Sequence, residues 1–341
     1  MHIARSGVEL CERYRATDGA TDSLTVQTQT SAPQAASLHR FDHRDYVSMT
    51  MEFRCNLRCV HCMIEGTMDR LAPESGERFD ELLAENARRR QWKGLILTGS
   101  EITLRRDLPE LAKRARASGF EHVRIQTHGM HLAQPAYCDV LIGAGVDEYF
   151  VSVAGPDAET HDAITTVPGS FDKTLRGLEI LDERDGVVTL TNSVVTNRSF
   201  HLLPQLVDRL AHLRNLVQME FWVYWPMSET DEKDLVAPHS AIAPYLREAI
   251  AKARALGRGV EVKNFPQCLL GDDGAALMNT QPQLFIDPAF WPEFMRNGFY
   301  QCVFRDRCAS TECLGLSTAY ISKYGYDEGI LRPLRPSTAA I

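Results

Sequence analysis

From residue 46 to residue 256 the chain alternates, six times over, between a strand-like stretch and a stretch of helical period. The strand-like stretches lie at 46–53, 94–98, 123–127, 148–153, 187–195 and 217–225. The helical ones lie at 79–91, 108–118, 137–143, 171–183, 202–213 and 241–256, with apolar residues three and four apart. Leu203, Leu206, Val207, Leu210 and Leu213 share one face of the fifth helix. In the second, Leu108, Leu111, Ala112 and Ala115 form the stripe, with Pro109 in the first turn and Gly119 at the end. Such alternation implies parallel strands joined by helical crossovers. Six units suit an α/β fold of the partial (β/α)6 TIM-like barrel kind, not a closed eight-unit one. In barrels of this type the chemistry sits at the C-terminal ends of the strands.

The flanks read differently. Residues 1–40 are weakly patterned, with a Thr-, Gln-, Ala- and Ser-rich stretch at 21–37, and predict a flexible or loosely packed extension. Residues 41–263 are assigned to the barrel. In 264–330 the rhythm stops, and four cysteines and several aromatics remain. A segment so poor in regular structure needs a staple, and a metal is the natural one. Residues 331–341 read as a disordered tail. No apolar run reaches the length of a membrane-spanning helix, and Arg5, Glu9, Glu12 and Arg13 interrupt any signal-peptide core. A cytoplasmic location is expected. The formal net charge of -8 argues against general nucleic-acid binding.

Nine cysteines in a cytosolic chain point to metal or catalysis more than to disulfides. Three of them, in Cys55-Asn-Leu-Arg-Cys59-Val-His-Cys62, crowd one loop just past the first strand. Three thiolates can cap three irons of a cubane and leave the fourth open to a chelating ligand. A structural zinc site is the alternative, with His61 as fourth ligand. The spacing, with His61 before the last cysteine, is similar to the signature of the radical S-adenosylmethionine (SAM) superfamily. The resemblance extends over about residues 46–326. It implies a [4Fe–4S] cluster on Cys55, Cys59 and Cys62 whose open iron binds SAM, and release of a 5′-deoxyadenosyl radical. Thr98-Gly99-Ser100-Glu101 resembles the family's Gly-Gly-Glu segment, which contacts the amino group of SAM. Thr127-His128-Gly129 stands where Thr-Asn-Gly is common, and Ser152 and Asn192 lie on the fourth and fifth strands. The resemblance thus implies SAM contacts from His61, Gly99, Ser100, Glu101, Thr127, Ser152 and Asn192. For the strand-end residues, satisfying loop backbone is the ordinary alternative.

Cys268 and Cys302-x5-Cys308-x4-Cys313 resemble the shortened auxiliary-cluster domain called twitch, a relative of the SPASM domain. That implies a second [4Fe–4S] cluster, with structural zinc, or a three-cysteine cluster open to substrate, as alternatives. Cys138 reads as a buried helix residue and Cys11 as incidental. On the sixth strand, Trp222 and Tyr224 face one way and Phe221, Val223 and Trp225 the other. Core filling is the plainer reading for this aromatic run. Arg198, Glu220 and Lys263 lie near strand ends and are candidate proton-handling groups. Exposed charge is the plainer reading of each, so no catalytic residue is assigned.

The expected function is oxidation or rearrangement of a small biosynthetic substrate such as a sugar or nucleoside, with electrons from a flavodoxin or ferredoxin. The forty residues before the barrel are too few for a leader-peptide recognition domain. Two other readings stand beside it: a peptide maturase, and a non-enzymatic iron–sulfur electron carrier or sensor.

Overall fold

The computed structural model describes residues 41–64 and 70–335. The expected N-terminal extension, Cys11 and the tail end at 336–341 lie outside the described residues. Eight parallel strands form one curled sheet, in the order β7-β6-β5-β4-β3-β2-β1-β8. They are β1 (Tyr46–Glu52), β2 (Gly94–Gly99), β3 (His122–Thr127), β4 (Glu148–Ser152), β5 (Val188–Val195), β6 (Leu216–Val223), β7 (Gly259–Lys263) and β8 (Gln283–Phe285). The first six are those the sequence rhythm predicts. The other two extend the half-barrel at its two edges, and β8 does so from within the cysteine-rich segment by pairing with β1.

Helices cover the outer face: α1 (Gly76–Arg89), α2 (Leu108–Ala117), α3 (Pro135–Gly143), α5 (Ser170–Asp182), α6 (Leu203–Arg209) and α7 (His239–Ala255). A further short helix, α4 (Ala158–Thr165), sits between β4 and α5, where the sequence reading had only loop. Two more, α8 (Phe290–Met295) and α9 (Thr318–Tyr324), follow β8. No helix among the described residues is long and apolar enough to cross a membrane.

Strand alternation divides the core from the lumen. In β1, Val47, Met49 and Met51 pack with Phe79 and Leu82 of α1 and Leu108 of α2. Ser48, Thr50 and Glu52 therefore point the other way, into the half-barrel. In α1, Ser75 caps the N-terminus by accepting from the Arg78 N–H at 3.1 Å. At its far end, fully buried Asn86 exchanges two hydrogen bonds with the Trp92 backbone and fixes the entry to β2. The lumen floor is polar. Tyr46 Oη and Arg124 Nε both donate to Glu148, each at 2.7 Å, and Arg124 lies against the Phe41 and Tyr46 rings. His43, just ahead of β1, reaches across to Glu261 on β7 at 2.9 Å.

Candidate radical SAM site and a second cysteine cavity

The loop after β1 is held at several points. The Arg58 N–H donates to Thr165 O at 3.3 Å, and the Val60 N–H to Ile164 O at 2.9 Å. The C-terminal carbonyls of α4, left unpaired by the helix itself, thus receive the loop. Thr166 Oγ1 closes the strap onto Arg58 O at 2.9 Å. On the other side His128 Nε2 meets Asn56 Oδ1 at 2.7 Å and Glu101 Oε2 at 3.1 Å. His128 Nδ1 accepts from the Met130 N–H, so Nε2 carries the proton.

Cys55, Cys59 and Cys62 form no disulfide and are partly buried within this frame. Burial, with Glu101 and Cys62 nearby, pushes the Cys55 thiol up to about 11. A metal must displace that proton to bind, so loading is coupled to pH. The Leu57 N–H already points at Cys55 Sγ, at 3.3 Å, and supports a thiolate there.

The ends of β2 and β3 close against the same loop. Gly99 has φ +155, and a β-carbon there would lie 1.9 Å from the Glu52 carbonyl oxygen, so only glycine fits. The sequence reading made Glu101 a partner for a ligand's ammonium. In the structure it is fully buried and already bonded to the protein: Oε1 accepts from the Thr103 N–H and hydroxyl and the Thr127 hydroxyl, and Oε2 from the His128 N–H. Glu101 is a brace between strand ends, and Thr127 is part of it, also accepting from the Gly129 N–H.

Three other expected contacts behave differently. His61 Nδ1, Ser100 Oγ and Asn192 Oδ1 are buried atoms with no hydrogen-bond partner. Buried polar atoms normally find partners. A polar ligand over these strand ends would satisfy them, so the residues present fit a SAM molecule. Ser152, the last residue of β4, is exposed at the same rim.

Two charged candidates turn out to be buried. Glu220 and Lys263 are each 3 % exposed or less, where exposed charge was the plainer expectation; Arg198 is exposed as expected. Burial, then the neighbouring Glu261, raise the Glu220 carboxyl. It accepts from Gln218 Nε2 and Trp222 Nε1, while Lys263 Nζ donates to Glu261 and to Met278 O. The aromatic run splits in three. Phe221 packs outward, Trp222 lines the lumen, and Trp225, beyond the strand, packs on Phe299 at 5.0 Å.

The late cysteines converge. Cys268, Cys302, Cys308 and Cys313 line one small cavity together with Phe304, Leu316 and Leu334. Burial pushes Cys268 and Cys313 up, and neighbouring thiols add to it. Among the described residues no three His, Cys, Asp or Glu side chains converge on a single-ion site. Cys138 is buried in α3, its thiol donating to Leu132 O, as expected.

The three closely spaced cysteines thus lie on the loop that follows the first strand of a parallel half-barrel. Residues 50–210 match the Radical SAM superfamily, and the chain carries that superfamily's domain. It is 31% identical over 188 residues to an AdoMet-dependent heme synthase of Methanosarcina barkeri, covering 54% of this chain and 52% of the relative. It is 35% identical over 170 residues to a probable GTP 3′,8-cyclase of Methanopyrus kandleri, covering 50% and 53%. The chain thus spans about half the length of the curated relatives it matches, and these relatives are named as enzymes. In structure it is similar to Streptococcus suis SuiB bound to its precursor peptide SuiA, with TM-score 0.52 at 13% identity, over 64% of this chain and 48% of that one. It is similar also to anSMEcpe with bound AdoMet and a peptide, with TM-score 0.52 at 14% identity, over 64% and 63%. At these identities the likeness is one of fold.

Proposed function

We propose that the chain is a radical SAM enzyme acting on a small biosynthetic substrate, with a SAM-binding [4Fe–4S] cluster on Cys55, Cys59 and Cys62 and an auxiliary cluster on Cys268, Cys302, Cys308 and Cys313. The first cluster, when bound, supplies the electron that splits SAM into methionine and a 5′-deoxyadenosyl radical. The chain's own residues hold the ligand: His61, Ser100 and Asn192 offer buried polar atoms to SAM, Ser152 lines the rim, and Gly99 lets the backbone approach. Glu101, Thr127 and His128 keep the strand ends and the cluster loop in place. A flavodoxin- or ferredoxin-type donor supplies the electron.

The observation that carries the reading is the convergence of four distant cysteines on one cavity, beside a domain that already holds three. An electron carrier has no need of the unpaired polar atoms at the strand ends. The relatives named as heme synthase and GTP 3′,8-cyclase favour a small metabolite over a peptide.

The test is anaerobic reconstitution followed by iron counting and a 5′-deoxyadenosine assay with SAM and dithionite. About eight irons per chain, falling to about four when Cys55, Cys59 and Cys62 become alanine, with SAM cleavage only in the parent, is the expected result. Zinc in place of iron, or no SAM cleavage, refutes it.

A further inference from the structure

The segment assigned from sequence to a disordered tail is, up to residue 335, part of the second cysteine cavity. Leu331 is buried, and Leu331, Arg332 and Leu334 all line the cavity. The Leu334 N–H donates to Cys308 Sγ at 3.3 Å, and the Ala309 N–H returns a bond to Leu334 O at 2.9 Å. The segment is itself held from below. The Arg332 guanidinium donates to Leu331 O at 2.6 Å and to Gly329 O at 2.9 Å, locking the turn that delivers it. On the opposite wall, the Gly315 N–H donates to Cys313 Sγ at 3.4 Å. Two of the four sulfurs therefore receive backbone donors, and this segment supplies the one to Cys308.

We propose that residues 331–334 are a built wall of the auxiliary site, closing it to substrate and raising the reduction potential of the cluster bound there. The inference rests on the proposed auxiliary cluster and deepens it by giving that cluster a role. Four thiolates satisfy four irons and leave no open position for a substrate. An N–H donor to a ligating sulfur stabilises the more negative, reduced cluster and so raises its potential. A closed cluster of raised potential is suited to accept an electron. In such a step a substrate-derived carbon radical gives up one electron as its bond to a neighbouring heteroatom becomes double. The heteroatom's proton is released, and the cluster is reduced by one electron.

The experiment uses the full chain with Cys55, Cys59 and Cys62 changed to alanine, so that iron reports on the auxiliary site alone. Leu334→Pro removes the donor to Cys308; Leu334→Met keeps the N–H and the bulk. After anaerobic reconstitution, each is counted for iron, titrated by EPR-monitored reduction, and exposed to air while its visible absorbance is followed. The expected result is a more negative midpoint potential and faster bleaching for Leu334→Pro, with Leu334→Met matching the parent. Loss of iron in Leu334→Pro alone upholds the wall equally. Full iron with an unchanged potential and bleaching rate in Leu334→Pro overturns the inference. An iron-free parent would show, before any comparison at Leu334, that the auxiliary cluster itself is absent.

Discussion

The two cysteine sites are built by opposite means. Cys55, Cys59 and Cys62 sit on one short loop, which the barrel holds from two sides: α4 bonds its backbone, and His128 bonds the Asn56 side chain. Cys268, Cys302, Cys308 and Cys313 come from separate turns that the fold brings to one cavity. A local motif can be loaded by a barrel that is already stable. A dispersed one gains much of its order from the metal, so that binding and folding are one event. The same contrast separates an open site of three thiols from a closed one of four.

The comparison breaks most sharply by removing one site at a time. Changing Cys55, Cys59 and Cys62 to alanine should abolish 5′-deoxyadenosine formation while leaving about four irons and an unchanged protease-digestion pattern. A global loss of structure in that variant would mean that the loop is not a late addition to a stable barrel. Changing Cys302 and Cys308 to serine should do the reverse. About four irons are lost, SAM is still cleaved when dithionite is present, and limited proteolysis now cuts within 264–335. Gly99→Ala acts on the first site alone. The contact with Glu52 O and the positive φ should cost about 2–4 kcal/mol in chemical denaturation and weaken SAM binding.

Two buried histidines sharpen the comparison in pH. His161, beside Phe171 and hydrogen-bonded to the Ala154 N–H, underlies the first site; burial lowers it to about 4. His239, stacked on Tyr320 at 3.9 Å, underlies the second, and burial lowers it to about 3. Both are neutral in the fold and take up a proton near pH 6.5 when unfolded. Their contribution is therefore complete above about pH 6.5 and is lost as pH falls toward their folded values. At pH 5 the loss is about 2 kcal/mol each. Thermal melts from pH 7 to pH 5 should show His239→Phe flattening the decline, while SAM cleavage at pH 7 is retained. An equally steep decline would remove His239 as a cause. The smallest effect belongs to Glu220→Gln. Burial already favours the neutral acid there, so the amide should change stability by less than about 1 kcal/mol. A larger loss, in urea denaturation, would show that the carboxylate form matters.

The six central strands and the cysteine loop were legible because each is written locally, in periodicity or in spacing. What was missed depends on distant partners. In β7, Glu261 and Lys263 resemble a polar surface until His43 and Met278 are known to face them across the lumen. Three residues of β8 carry no periodicity at all, and only β1 makes them a strand. Glu101 carries the right chemistry for an ammonium, and the sequence does not show that Thr103, Thr127 and His128 bond it as well. The short run 331–335 resembles a tail until the Cys308 sulfur that Leu334 faces is located.

The pairing of β8 with β1 has a consequence in time. Val47 and Gln283 are more than two hundred residues apart in the chain, yet they are neighbours in the sheet. During synthesis the outer edge of β1, with its unsatisfied backbone groups, stays open until β8 has left the ribosome. The strand that leads into the first cysteine loop is thus made well before it is sealed. Long-range closure of this kind is slow relative to local helix and strand formation. A half-made chain offers that edge to any other strand it meets, so aggregation of nascent protein should be worst just before residue 285 emerges.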